Sequence, residues 1–389
     1  MISVARKRLF INLNRKISTT NPTYHGQNGL TGIVLMNMGG PSKVAETGEF
    51  LSRLFHDKDL IPLPFQSTLA PFIAKRRTPR IEEQYQKIGG GSPILKWTRE
   101  QGAAMVKILD ELSPSTAPHR PYVAFRYAHP LTEECVEEMR RDGVTRAVAF
   151  SQYPQYSCST TGSSLNELYR KLHKLPKDQQ NAINWSVIDR WPTHPGLVEA
   201  FATHIEQSLE TYDPAIRSQV ILLFSAHSLP MSVVNRGDTY PAEVAATVNA
   251  VMQRLKFSNP YRLVWQSQVG PSAWLGPQTS DSIKGYAKKG ANDILLVPIA
   301  FTSDHIETLF ELDLEYIEEA KEMGLTGVKR VESLNADPIF VRAMADIVAD
   351  HLKKSQSSPT SPQMRLRCPD CINPTCLKSK NYFSQQSLL

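Results

Sequence analysis

The stretch DILLVPIAFTSDHIETLFELDLEYIEEAK, residues 293–321, decides the fold. It opens on Asp293–Phe301, an apolar run of strand length, and closes on Ile306–Lys321, where apolar residues recur three and four apart, the period of a helix. A run that is apolar without alternation is a strand covered on both faces, and such strands belong to parallel sheets whose crossovers are helices. In sheets of that kind ligands bind beyond the carboxyl ends of the strands. Asp304, His305 and Glu307 stand at that place.

The same alternation runs along the chain. Apolar runs occupy Thr31–Met38, Tyr122–Tyr127, Arg146–Tyr153 and Trp185–Trp191 in the first half. Gln219–Ser225, Tyr261–Gln266, Asp293–Phe301 and Val328–Leu334 follow in the second. Helical spacing lies between them, at Glu133–Arg141, Leu165–Leu172, Leu197–Leu209 and Pro241–Leu255. The predicted fold is α/β: two similar Rossmann-like domains, residues 30–210 and 211–354, each a four-stranded parallel sheet flanked by helices. No short repeat accompanies the duplication, which rests on element order. Thr132 is placed to cap the helix that begins at Glu133. About Gly40 to Pro93 reads as a long non-repetitive insertion, a kind of segment that often carries function. Residues 355–362 are a Ser/Pro linker, opening an extension (355–389) too short to hold a core of its own.

The 389 residues carry a net charge of +6, yet Arg6, Lys7, Arg8, Arg15 and Lys16 crowd the start, where no acid appears before Glu46. The rest is close to neutral, which argues against nucleic-acid binding. An Arg-rich, Ser/Thr-bearing, acid-free leader reads as a mitochondrial transit peptide over residues 1–29; a basic tail is the plainer alternative. No run approaches the roughly 20 apolar residues of a membrane span. The five cysteines are an odd number for a disulfide scaffold. Cys368, Cys371 and Cys376 cluster in the extension and fit a metal or iron–sulfur site, with Cys158 or Cys135 as fourth thiol and zinc as the competing metal.

Nucleotide motifs are missing. Met38-Gly39-Gly40-Pro41 is not G-x-G-x-x-G, and Gly89-Gly90-Gly91-Ser92-Pro93 has no G-K-S/T continuation. Dehydrogenase and kinase readings recede. The strand tips instead hold imidazoles, carboxylates, aromatics, a thioether and an arginine. His227, between Ser225 and Ser228 at a strand end, is the best single base, although a lone histidine there is more often structural. Spacing of four places Glu307, Glu311 and Glu315 on one helical stripe, whose plainer reading is a solvated face.

Taken in order, Leu35–Pro41, Ala74–Pro79, Ile88–Ile94, Gln152–Gly162, Phe224–Pro230, Val269–Pro271 with Trp274–Pro277, and Phe301–Glu307 resemble the ferrochelatase family, from about Thr31 to His351. The resemblance implies the class II chelatase fold. It also implies a lyase that inserts Fe2+ into protoporphyrin IX with release of two protons, the terminal step of heme biosynthesis. His227 matches the proton acceptor. Glu307, with Glu311, Glu315, Asp304 and His305, matches a proton or metal path. Met38, Arg126, Tyr127 and Tyr153 match the opposite side of the pocket. Residues 50–74 resemble the pocket lip that meets the membrane. Phe55, Leu60, Leu63 and Trp274 are expected to wall the porphyrin, and Arg77, Tyr85 and Ser92 to meet its propionates. Cys158, Cys368, Cys371 and Cys376 resemble the ligands of the 2Fe–2S subset. The implied setting is a homodimer on the matrix side of the mitochondrial inner membrane, with no nucleic-acid partner. Pro195 stands where the family can carry a second histidine, leaving His194 with Asp337 as a weaker outer metal pair. Two alternatives stay open: a chelatase for a more carboxylated tetrapyrrole, and a non-catalytic heme or iron–sulfur binder.

Overall fold

A computed structural model describes residues 29–61, 63–355 and 358–386. The leader expected over 1–29 lies outside the described residues except for Gly29, and part of the linker lies outside them too.

Eight strands form two four-stranded parallel sheets. The first holds β1 (Leu30–Asn37), β2 (His119–Phe125), β3 (Val144–Ser151) and β4 (Asn184–Ile188), in the order β2-β1-β3-β4. The second holds β5 (Ile221–His227), β6 (Tyr261–Gln266), β7 (Asp293–Pro298) and β8 (Gly327–Arg330), in the order β6-β5-β7-β8. The two orders are the same, so the duplication expected from element order is present in the pairing as well. Ile33, Val34 and Leu35 on β1, and Ile294 to Val297 on β7, are fully buried. The unalternating runs are thus covered on both faces. Among the described residues no helix is long and apolar enough to cross a membrane.

The segment expected to be irregular between Gly40 and Pro93 is largely helical, with α1 at Thr47–His56 and α2 at Gln66–Lys87. Pro71 and Pro79 inside α2 hid it, because proline removes a helix donor and reads as a breaker. Then come α3 (Ile94–Leu112), α4 (Thr132–Arg141), α5 (Ser163–Lys174), α6 (Pro195–Glu210), α7 (Met231–Val234) and α8 (Tyr240–Arg254). The chain continues through α9 (Thr279–Ala287), α10 (Ile317–Glu322), α11 (Pro338–Lys354) and α12 (Pro374–Ser384). Thr132 does not cap α4. Its hydroxyl donates to the Phe125 carbonyl, and the Glu134 carboxylate takes the Leu131 amide instead. The expected helix over Ile306–Lys321 is a wider π-helix at Glu307–Tyr316 continued by α10.

Gly89-Gly90-Gly91 has a steric explanation in place of a phosphate. Gly89 and Gly90 have φ of 107° and 92°, and a Cβ on Gly91 would lie 2.2 Å from the Ser42 carbonyl oxygen.

The halves are joined through buried polar bonds. Glu243 on α8 accepts from the Tyr156 amide (2.7 Å) and pairs with Arg190, which follows β4. Gln155 donates to Thr247 on the same helix (2.9 Å). Burial lifts the Glu243 carboxyl above its ordinary value, and Arg190 works against that lift. Removing one partner of a buried ion pair strands the other. Glu243→Leu is therefore expected to lower stability by about 3 kcal/mol in urea unfolding, with Glu243→Gln costing less.

Candidate active site

In both sheets the connections diverge at one point, between β1 and β3 in the first and between β5 and β7 in the second. A cleft opens at such a switch point beyond the strand ends. A chamber of about 90 Å³ lies there. Asn37 and Met38 after β1, Gln152 and Tyr153 after β3, His227 ending β5, and His305 and Glu307 after β7 line it. Its size suits a metal ion with a few waters.

His227 is held in one tautomer. Its Nδ1 lies 2.5 Å from the Ser228 carbonyl oxygen, an acceptor, so Nδ1 carries a hydrogen, and in the neutral ring the lone pair is on Nε2. Nε2 faces Glu307 Oε1 at 3.8 Å. His305 repeats the arrangement: Nδ1 is 3.1 Å from the Ser303 carbonyl, and Nε2 is 3.9 Å from Glu307 Oε2. One carboxylate thus stands between two imidazole lone pairs. Glu307 Oε2 is buried with no hydrogen-bond partner among the described residues. A buried acceptor in that condition is costly and invites a proton or a cation.

The surroundings of Glu307 are neutral. Burial first, and then the Glu307 charge, push the Tyr85, Tyr153 and Tyr240 phenols well above their ordinary value. Tyr153 donates to Asn37 Oδ1 (3.2 Å) and accepts from the Met38 amide (2.8 Å), which fixes the floor of the chamber. The indole of Trp274 stands 6.3 Å from the His227 ring.

Glu311 and Asp304 anchor rather than line the chamber. Glu311 takes hydrogen bonds from the Ser267 amide (2.7 Å) and hydroxyl, Gln266 Nε2 (3.1 Å) and the Tyr316 hydroxyl (2.6 Å). Gln266 Nε2 also donates to the Glu307 carbonyl at 3.0 Å, so the tip of β6 holds the first turn of the π-helix. Burial alone would lift the Asp304 carboxyl. Arg330 at 3.2 Å, with Asn335, Ser333 and Thr308, holds it below its ordinary value. Glu315 is exposed, away from the cavity wall.

Arg126 and Tyr127, which follow β2 and so lie off the switch point, turn to Asp57: the guanidinium at 3.1 Å and the phenol at 2.6 Å. Phe55 is buried with Phe50, Leu51 and Ala74, and Leu60 and Leu63 pack against that group. Arg77 lies over the Phe55 ring at 5.7 Å, and Ser92 is buried. Asp337 pairs with His204 at 3.5 Å and caps α11 through the Ile339 and Phe340 amides. It is thus engaged away from His194. The sequence reading did not single out Tyr240 or Gln266. A buried amide or phenol at an element end carries no pattern until its neighbours are known.

Cys158, Cys368, Cys371 and Cys376 line a second chamber, of about 780 Å³. Cys135 is buried elsewhere, with its sulfur 3.9 Å from that of Met139. Burial pushes the Cys376 thiol up to about 11, and raises Cys158 and Cys368 as well. Two cations stand close. Arg236 Nη2 is 4.0 Å from Cys158 Sγ, and the buried Lys380 draws the Cys368 and Cys376 thiols down. Among the described residues no three Cys, His, Asp or Glu side chains converge tightly enough to share one metal ion. Four thiols facing one cavity beside two cations do fit an anionic, two-iron group, in which each iron takes only two of them.

Glu311→Ala leaves the buried Gln266 and the half-buried Ser267 and Tyr316 without their acceptor. It is expected to lower stability by about 2 kcal/mol and to speed amide exchange over residues 307–316, read by hydrogen-exchange mass spectrometry.

Comparison with known proteins gives the family and the fold. Residues 30–352 match the family described as ferrochelatase. The mitochondrial ferrochelatase of Xenopus laevis is 63% identical over 357 residues, covering 92% of this chain and 86% of the relative. That of Homo sapiens is 59% identical over 359 residues, covering 92% and 84%. That of Schizosaccharomyces pombe is 54% identical over 356 residues, covering 91% and 83%. Among solved structures, SirB of Bacillus subtilis with Fe3+ is similar at a TM-score of 0.51 and 11% identity, covering 84% of this chain and 97% of that one. At that identity the likeness shows the fold alone, that of the class II chelatases.

Proposed function

The chain belongs to the ferrochelatase family, and from that premise we propose how its own residues insert ferrous iron into protoporphyrin IX. It is a lyase of heme synthesis, with a porphyrin and ferrous iron as substrates and the mitochondrion as its place of work. Metalation exchanges two pyrrole protons for one Fe2+, so the site must carry two protons away from the ring in each turnover.

The observation that carries the reading is the His227–Glu307–His305 row. His227 Nε2, with its lone pair fixed by the Nδ1 bond to Ser228, takes a pyrrole proton. The Glu307 carboxylate, with Oε1 3.8 Å away, receives it once the pair closes to hydrogen-bond distance, and rotation of the carboxyl group then presents the proton to His305, which lies 3.9 Å from Oε2. No group of the described residues donates to Oε2, which leaves it free to take a proton or cation. Met38 and Tyr153 face this row and position the metal. Glu311 and Asp304 hold the row in place, and Glu315 forms its outer end.

The lip, residues 50–74, admits the porphyrin. Phe65 and Phe72 are 84% and 62% exposed, and Lys75, Arg76 and Arg80 follow them on α2, also exposed. Aromatic rings with nearby cations suit an anionic bilayer surface. We place the enzyme at the matrix face of the inner membrane, as a homodimer, with residues 30–210 and 211–354 as its halves. Phe55, Leu60, Leu63 and Trp274 wall the macrocycle, and Arg77, Tyr85 and Ser92 meet its propionates. A 2Fe–2S cluster would be held by Cys158, Cys368, Cys371 and Cys376, where it would supply a fixed negative charge and a redox centre.

Residues 30–389, mixed anaerobically with Fe2+ and protoporphyrin IX, are expected to convert the porphyrin spectrum to that of heme. His227→Ala is expected to slow this by about 10²–10⁴-fold while porphyrin fluorescence still reports binding. Unchanged turnover would remove His227 as the base. Cys371→Ser is expected to lose cluster iron and acid-labile sulfide together. Full retention of both would sink the cluster assignment.

A further inference from the structure

One side chain of the Cys-bearing extension reaches the root of the lip. Asn373 caps α12 with its Oδ1, which accepts from the Thr375 amide (2.9 Å) and the Cys376 amide (3.3 Å). Its Nδ2 donates to Asp59 Oδ1 at 2.6 Å. The other oxygen of Asp59 takes Arg170 and Asn166. The Asp59 amide donates to Asp57 Oδ1 (2.9 Å), and the Asp57 carbonyl accepts from the Leu60 and Ile61 amides. Asp57 Oδ2 takes the Tyr127 phenol, Ser163 and Arg126, and the Tyr127 amide donates to the Met38 carbonyl at 3.0 Å. Hydrogen bonds and the residues that make them thus link Cys376 to Met38 at the smaller chamber.

The Asp59 and Asp57 side chains are 7% and 2% exposed, at the wall of the larger chamber, so each leans mainly on its protein donors. The turn carrying Leu60 and Leu63 is fixed at its root by this pair of acids. Arg170 and Asn166 hold one oxygen of Asp59 from α5. Among the described residues Asn373 alone holds the other, from the extension. Helix capping requires only the acceptor half of the Asn373 amide. The donor half has no local use, and it points at the lip.

We propose that Asn373 and Asp59 form a latch through which the C-terminal extension positions the porphyrin lip, making both positioning residues for admission of the tetrapyrrole. The inference rests on the lip reading above, and it gives the extension a part in substrate entrance separate from any group its thiols hold.

Asn373→Asp separates the two halves of the amide. Aspartate caps a helix as well as asparagine does, but it sets a carboxylate against Asp59. In the full chain N373D is expected to raise the porphyrin KM about tenfold, the loss of one charge-assisted hydrogen bond, with kcat within twofold. Limited proteolysis between residues 57 and 66 should quicken, while α12 and the iron and sulfide content stay as in the parent. Adding D59N restores a donor opposite the introduced carboxylate, and should recover most of the KM and the protease resistance. N373D with parental KM and parental cleavage overturns the latch, as does an equal fall in kcat and kcat/KM that D59N does not reverse. The proteolysis arm reads the latch even where the parent forms no heme, an outcome that would overturn the functional reading instead.

Discussion

Two acids of the second half grip one loop of the first, and the site depends on that grip. Glu243 takes the Tyr156 amide, while Asp238 takes the Ser157 hydroxyl (3.1 Å) and the Cys158 amide (2.7 Å). Asp238 also accepts the Tyr240 amide at 3.0 Å. Both acids are buried, where an unmade partner is costly, so the halves have little freedom to slide. The consequence is positional. Gln152 and Tyr153 are brought to His227 and Glu307, and Cys158 is turned toward the extension. The loop that separates the two chambers therefore belongs to both.

Within the smaller chamber at the switch point the electrostatics are simple. A single carboxylate, Glu307, lies among phenols that stay protonated and imidazoles whose Nδ1 hydrogens are committed to carbonyls. In low-dielectric surroundings such a charge acts over longer range than in water. The π-helix that carries it is pinned at one end by Gln266 and Ser267 through Glu311. Along it Glu307 faces the cavity, while Glu311 is held by the strand tip.

Much of the architecture was legible in the chain. The eight apolar runs lie on eight strands, and most ends differ by a few residues because strand termination depends on pairing rather than on hydrophobicity. Asp293–Phe301 ends as a strand at Pro298, where the proline has no amide to continue the ladder. The helix α2 was hidden by the two prolines inside it, whereas α1 carries an amphipathic pattern, with Thr47, Phe50, Leu51 and Phe55 buried, within a stretch read as non-repetitive. Of the residues read as a site, His227, His305, Glu307, Met38 and Tyr153 meet at one cavity. Arg126, Tyr127, Asp304 and Glu311 do not line it, since each is held by partners no spacing rule reveals.

The sequence by itself determined the alternation of buried strands and helices, the family motifs, the four thiols and the imidazoles and carboxylates at strand ends. Those are local facts, carried by residue type and short-range period. The tertiary structure decided which strand ends share a switch point, which tautomer His227 adopts, which acid is free and which is anchored. It also joined Asn373 to Asp59, 314 positions away. The physical reason is that hydrogen bonds with donors and acceptors far apart in the chain exist only after both sheets have packed, and it is those bonds that fix protons and orient carboxylates.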